Sequence, residues 1–210
     1  MANSLMDLLQ GHLSEGMIKQ LSQQIGGADQ QKTAAATSGI VTTLMGALAR
    51  NAATPEGANS LSNALDRDHD GSVLDDMMDL FSGQKSVQPE RQRALNGDGI
   101  INHILGDRRG NAIDMISQMS GLDSNKTGSL MTMLAPMIMG MLGQQKKQQG
   151  LDVGGLVSML NGVRTQQQAQ SNNPTMSLIT RFLDADGDGS IADDVAGFGM
   201  KFLGNLFKRK

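Results

Sequence analysis

The sequence predicts an all-α protein in which two related helical units share one compact bundle. Apolar residues recur at helical spacing, as in Ile18, Leu21 and Ile25. Period-two alternation rich in Val, Ile, Thr and aromatic residues, which is typical of strands, is missing. One residue pattern also occurs twice, and Lys32 and Lys126 mark its offset of 94 residues. Two copies favour a pseudo-symmetric domain over a long solenoid.

The repeat pairs residues 29–48 with residues 123–142, and each copy is predicted to contain one long helix. Asp29 and Asp123 stand directly before these helices. A carboxylate at that position accepts the free N–H groups of the first turn and favours the positive end of the helix dipole. We therefore expect the two aspartates to be equivalent helix caps.

The repeat divides the chain into a first unit, residues 1–83, a linker, 84–97, and a second unit, 98–210. The fragment at 96–99, Asn-Gly-Asp-Gly, is interpreted as a turn. A Gln/Asn-rich stretch at 164–174 interrupts the second unit, and its polar composition predicts a flexible loop.

Composition excludes several classes of protein. The 210 residues include no Cys, no Trp and no Tyr, so thiolate metal sites, disulfide scaffolds and base-stacking surfaces are not expected. A formal net charge of −3 argues against a general nucleic-acid binder. No apolar run approaches the roughly 18–20 residues of a membrane-spanning helix, and the N-terminal stretch lacks the features of a signal peptide. We expect a cytoplasmic protein.

The chemistry is concentrated in two acidic loops, residues 65–76 and 183–194, which share the pattern L-D-x-D-x-D-G-S-[VI]-x-D-D. Loop positions are counted from the first aspartate, Asp66 or Asp184. Carboxylates at positions 1, 3 and 5 repel one another in a tight turn unless a cation lies between them. Calcium suits such a loop because it prefers six to eight oxygen ligands, and the glycine at position 6 permits the sharp turn of an EF-hand. The predicted metal ligands are Asp66, Asp68, Asp70, Ser72 and Asp76 in the first loop and Asp184, Asp186, Asp188, Ser190 and Asp194 in the second.

The loops depart from the EF-hand pattern at position 12, where Met77 and Val195 replace the bidentate glutamate. Asp76 and Asp194, at position 11, are the nearest substitutes. We expect a calcium affinity on the order of 10⁻⁵–10⁻³ M, with magnesium as a possible second ion. His69, at position 4 of the first loop, is expected to face solvent. The alternative is that both loops are only Asp-rich turns that cap the next helix.

Several segments together resemble the bacterial YidB-like family, a family of unknown function. The resemblance covers residues 6–11, 49–57, 134–136 and 144–150 and the first acidic loop. It implies a compact all-helical protein from a bacterium. The family brings no established catalytic residues, so none is assigned here.

The expected function is that of a non-enzymatic calcium-binding protein with a structural, scaffold or protein-interaction role. Its three histidines, His12, His69 and His103, have no cysteine or HExxH context that would indicate catalysis. The alternatives are a metal-free helical adaptor and a nucleic-acid-associated protein. The last would use Arg108-Arg109 and Lys146-Lys147, which the overall acidity otherwise makes a solvated face.

Overall fold

The computed structural model describes residues 15–69, 71 and 94–169. All regular structure in these ranges is helical, with no strand among them, so the all-α prediction is confirmed. The α-helices are α1 (Glu15–Gln24), α2 (Gln30–Asn51), α3 (Pro55–Asp68), α4 (Gly97–Leu105), α5 (Arg109–Ser120), α6 (Ser124–Gln149) and α7 (Val153–Ala169), and a 3-10 turn (Gly106–Arg108) joins α4 to α5.

Two long helices, α2 and α6, form the centre of the bundle. They contact each other, α2 also packs against α5 and α7, and α6 packs against α3, α4 and α5. Both helices are apolar on most sides, which matches a helix buried around most of its circumference. Their most deeply buried side chains include Ile40, Leu44, Leu130, Leu134 and Ile138. The two predicted units therefore share a single apolar core.

The two predicted helix caps are confirmed. The Asp29 carboxylate accepts the backbone N–H of Lys32 at 2.9 Å, and the Asp123 carboxylate accepts that of Lys126 at 3.2 Å. Each aspartate lies one residue before its helix begins. Each carboxylate therefore satisfies a donor that the helix itself leaves unpaired.

The residues beside the caps make matching hydrogen bonds. The Thr33 hydroxyl donates to the Asp29 carbonyl at 2.8 Å, and the Thr127 hydroxyl donates to the Asp123 carbonyl at 2.9 Å. Both threonines are fully buried. A buried hydroxyl without a partner is costly, so these bonds fix both helix starts in the same geometry.

The lysine that follows each cap, Lys32 or Lys126, extends to the other copy of the repeat. The Lys126 ammonium donates to the carbonyl of Gly26, at the end of α1, at 3.4 Å. In the opposite direction, Cε of Lys32 lies 3.6 Å from the place where a Cβ on Gly121 would stand, at the end of α5. Lysines are favourable near helix C-termini, where carbonyl groups are unpaired.

Helix α4 begins where α6 contains a proline. Pro136 has no N–H to donate to the carbonyl of Thr132, and a Cβ on Gly97 would stand 1.9 Å from that oxygen. Because glycine has no Cβ, the backbone at residue 97 can lie closer to the backbone of α6 than any other residue would allow. The Asn96 side chain accepts the N–H of Gly99 at 3.0 Å. The fragment interpreted as a turn is thus the cap and first turn of α4.

The predicted loop at 164–174 is only partly a loop. Helix α7 continues to Ala169, so residues 164–169 are helical, and residues 170–174 lie outside the described part of the chain. Gln, Arg and Ala are good helix formers, so a polar composition does not by itself end a helix. The prediction of a loop was wrong for the first half of this stretch.

Candidate metal centre at the end of α3

The first acidic loop begins inside a helix. Asp66 and Asp68 both belong to the last turn of α3, and the backbone N–H of His69 still bonds to the Leu65 carbonyl at 3.2 Å. Residues two positions apart on an α-helix point about 200° apart. One ion reaches both carboxylates only if this last turn unwinds.

Asp66 forms an ion pair with Lys146 of α6. The ammonium nitrogen lies 2.5 Å from Asp66 Oδ1, in a contact that spans 80 positions of sequence. The two partners differ in exposure: the Asp66 side chain is 65% exposed and the Lys146 side chain only 9%. The carboxylate at loop position 1 thus faces a buried cation supplied by the protein.

Asp68 forms an ion pair with its neighbour Arg67. Two guanidinium nitrogens donate to Asp68 Oδ2, Nη2 at 2.7 Å and Nε at 3.0 Å. The hydrogen bond and the negative charge of Asp68 raise the pKa of Arg67 above its ordinary value. The carboxylate at loop position 3 therefore also faces a positive charge.

His69 is buried, and the expectation that it faces solvent was wrong. Only 4% of the residue is exposed. Its ring nitrogen Nδ1 lies 3.3 Å from the carbonyl oxygen of Ala64, and Nε2 lies 3.1 Å from that of Ala94. The ring therefore lies between a carbonyl of α3 and a carbonyl of the chain just before α4, and an imidazole N–H can donate to either oxygen.

Gly71 adopts a conformation that favours glycine. Its φ is +100°, and a Cβ at this position would lie 3.0 Å from Cβ of Gln144 in α6. Both facts restrict the position to glycine, because a side chain would meet backbone strain and a close neighbour. Gly71 therefore has the positive φ that the prediction requires at loop position 6, and it lies against α6.

The other predicted ligands fall outside the described residues: Asp70, Ser72 and Asp76 of the first loop and Asp184, Asp186, Asp188, Ser190 and Asp194 of the second. Within residues 15–69, 71 and 94–169, no group of three or more His, Cys, Asp or Glu residues is arranged to hold a metal ion. The calcium sites remain predictions.

A second polar region, between α4, α5 and α6, is occupied by its own side chains. The Arg109 guanidinium donates to the Asp98 carboxylate and, at 3.1 Å, to the amide oxygen of Asn102. The Thr132 hydroxyl donates to the same Asp98 oxygen at 3.3 Å. The polar side chains of this region therefore form hydrogen bonds with one another.

Comparison with known proteins gives a family. The model of DUF937, described as a bacterial protein of unknown function, matches residues 7–145, about two thirds of the chain. The chain belongs to the DUF937 family. No curated protein and no solved structure matches it. The expected membership of a bacterial family of unknown function is confirmed, and the narrower YidB-like resemblance remains a prediction.

The DUF937 match includes the first acidic loop and α3, and it ends one residue before Lys146. The second loop lies beyond it. Within the described ranges of this DUF937 protein, no helix has both the length and the apolar character needed to cross a membrane.

Sequence reasoning missed Lys146, which it placed on a solvated face together with Lys147. Only 7% of Lys146 is exposed, whereas Lys147 is exposed. The signal was present, because Ile138, Leu142 and Lys146 follow one another at intervals of four and so share one side of α6. Ile138 and Leu142, which precede Lys146 on this side of the helix, are both buried.

Proposed function

We propose that this DUF937 protein is a non-enzymatic helical protein that binds calcium at two EF-hand-like loops, residues 65–76 and 183–194. Each ion fixes the junction between the helix before the loop and the segment after it. The role is that of a structural support or scaffold, or of a surface for a protein partner in the cytoplasm. Magnesium binds more weakly because it demands stricter octahedral geometry.

The observation that carries this proposal is the conformation of Gly71. A calcium loop of this class needs a sharp turn at position 6, and Gly71 has a φ of +100° at that position. The same Asp-x-Asp-x-Asp-Gly-Ser pattern recurs at 184–190. Capping alone does not require three alternate carboxylates before a glycine in this conformation.

We also infer that the two units are copies of one ancestral unit. The matched caps and the reciprocal reach of Lys32 and Lys126 support a duplication. A further pair of equivalent hydrogen bonds supports the same inference. The Ser22 hydroxyl donates to the Ala28 carbonyl, and the Ser117 hydroxyl donates to the Leu122 carbonyl at 2.6 Å. A duplicated unit accounts for the presence of two similar loops.

Calorimetric titration of the metal-stripped chain with calcium, and separately with magnesium, tests the proposal. We expect two calcium sites. The pair Asp66→Asn and Asp68→Asn, and separately the pair Asp184→Asn and Asp186→Asn, each remove one site. Asp107 is an exposed acid in the 3-10 turn, and the control Asp107→Asn should leave both calcium sites intact.

Thermal melting supplies a second readout. A ligand that binds only the folded chain stabilises it by about 2.7 kcal/mol at a hundredfold excess over the dissociation constant. If millimolar calcium gives neither binding heat nor a higher melting temperature, the proposal is wrong.

A metal-free helical adaptor is the second candidate, and one observation favours it. Lys146 and Arg67 already neutralise the carboxylates of Asp66 and Asp68 without any ion. The same titration decides between the two, because an adaptor of this kind binds no calcium. The nucleic-acid alternative loses support, since the buried Lys146 is withdrawn from the basic face it would use.

A further inference from the structure

We draw no further inference here: the strongest candidate, the groove of about 640 Å³ between α1, α4, α5 and α6 that Gln24, Ile113, Asn125 and Met133 help to line, carries nothing because its charged side chains, Asp98 and Arg109, already pair with each other and nothing in the described part of the chain shows what would occupy it.

Discussion

The imidazole of His69 lies against the carbonyl oxygen of Ala94, with Nε2 at 3.1 Å, although 25 positions of sequence separate the two residues. Both residues are buried. This contact joins the end of α3 to the chain just before α4, so residues 69 and 94 lie at adjacent points of the bundle. The start of the first acidic loop is thereby anchored to the core.

His69→Ala should weaken the fold. The change removes the ring whose two nitrogens contact the Ala64 and Ala94 carbonyls, and it leaves a space in a buried position. We expect the free energy of unfolding, measured by urea denaturation, to fall by about 1–3 kcal/mol. The matched change His103→Ala, at an exposed position of α4, should alter it by less than about 0.5 kcal/mol. Equal losses in both variants would contradict the anchoring role of His69.

Gly97→Ala should destabilise the contact between α4 and α6. The new Cβ would stand 1.9 Å from the Thr132 oxygen, so one helix has to move. Overpacking of this kind costs about 1–3 kcal/mol in the free energy of unfolding. Gly110→Ala, where a Cβ meets no atom within 4 Å in α5, should instead stabilise the chain by about 0.4–1 kcal/mol. Opposite signs in urea denaturation are the expected result, and a stabilised Gly97→Ala chain would show that the close approach is absent.

The two helix caps should be energetically alike. Asp29→Ala and Asp123→Ala each remove a carboxylate that accepts N–H groups in the first turn of a long helix. Each change should lower the free energy of unfolding by about 1 kcal/mol. Asp107→Ala, which no helix uses as a side-chain cap among the described residues, serves as the control in the same thermal melts. If the loss of either cap left the free energy of unfolding unchanged, the proposed duplication would lose one of its supports.

The Asp66–Lys146 ion pair should respond unequally to the loss of either partner. Asp66→Asn leaves a buried ammonium without its counter-charge, and in EDTA it should lower the free energy of unfolding by about 1–2 kcal/mol, given the exposure of the aspartate. Lys146→Met leaves a carboxylate that water can solvate, and its effect should stay within about 0.5 kcal/mol. The reverse order in urea denaturation would mean that Asp66, and not Lys146, depends on the pair.

Much of the fold could be predicted because it is encoded locally. The periodicity of α2 and α6 and the aspartate before each helix are properties of short segments, and both are confirmed. The continuation of α7 through its Gln-rich end was missed because a polar composition was taken for a loop, although those residues favour a helix.

Less of the candidate site could be predicted, because its contacts join distant parts of the chain. His69 contacts the carbonyl of Ala94, 25 positions further along the chain, and Asp66 pairs with Lys146 from another helix. A pattern of alternate aspartates predicts ligands for a cation, but it does not reveal that a lysine 80 positions away approaches the first of them.

The central position of α2 has a consequence for synthesis on the ribosome. Gly39 of α2 packs on Ile116 of α5, and α2 is also covered by α7, so its apolar sides are sheltered by helices made much later. Until those helices emerge, α2 lacks part of its final cover, although α1 already packs against it. A chain truncated before residue 97 would therefore expose apolar surface of α2 that the complete chain buries, and exposed surface of this kind favours aggregation.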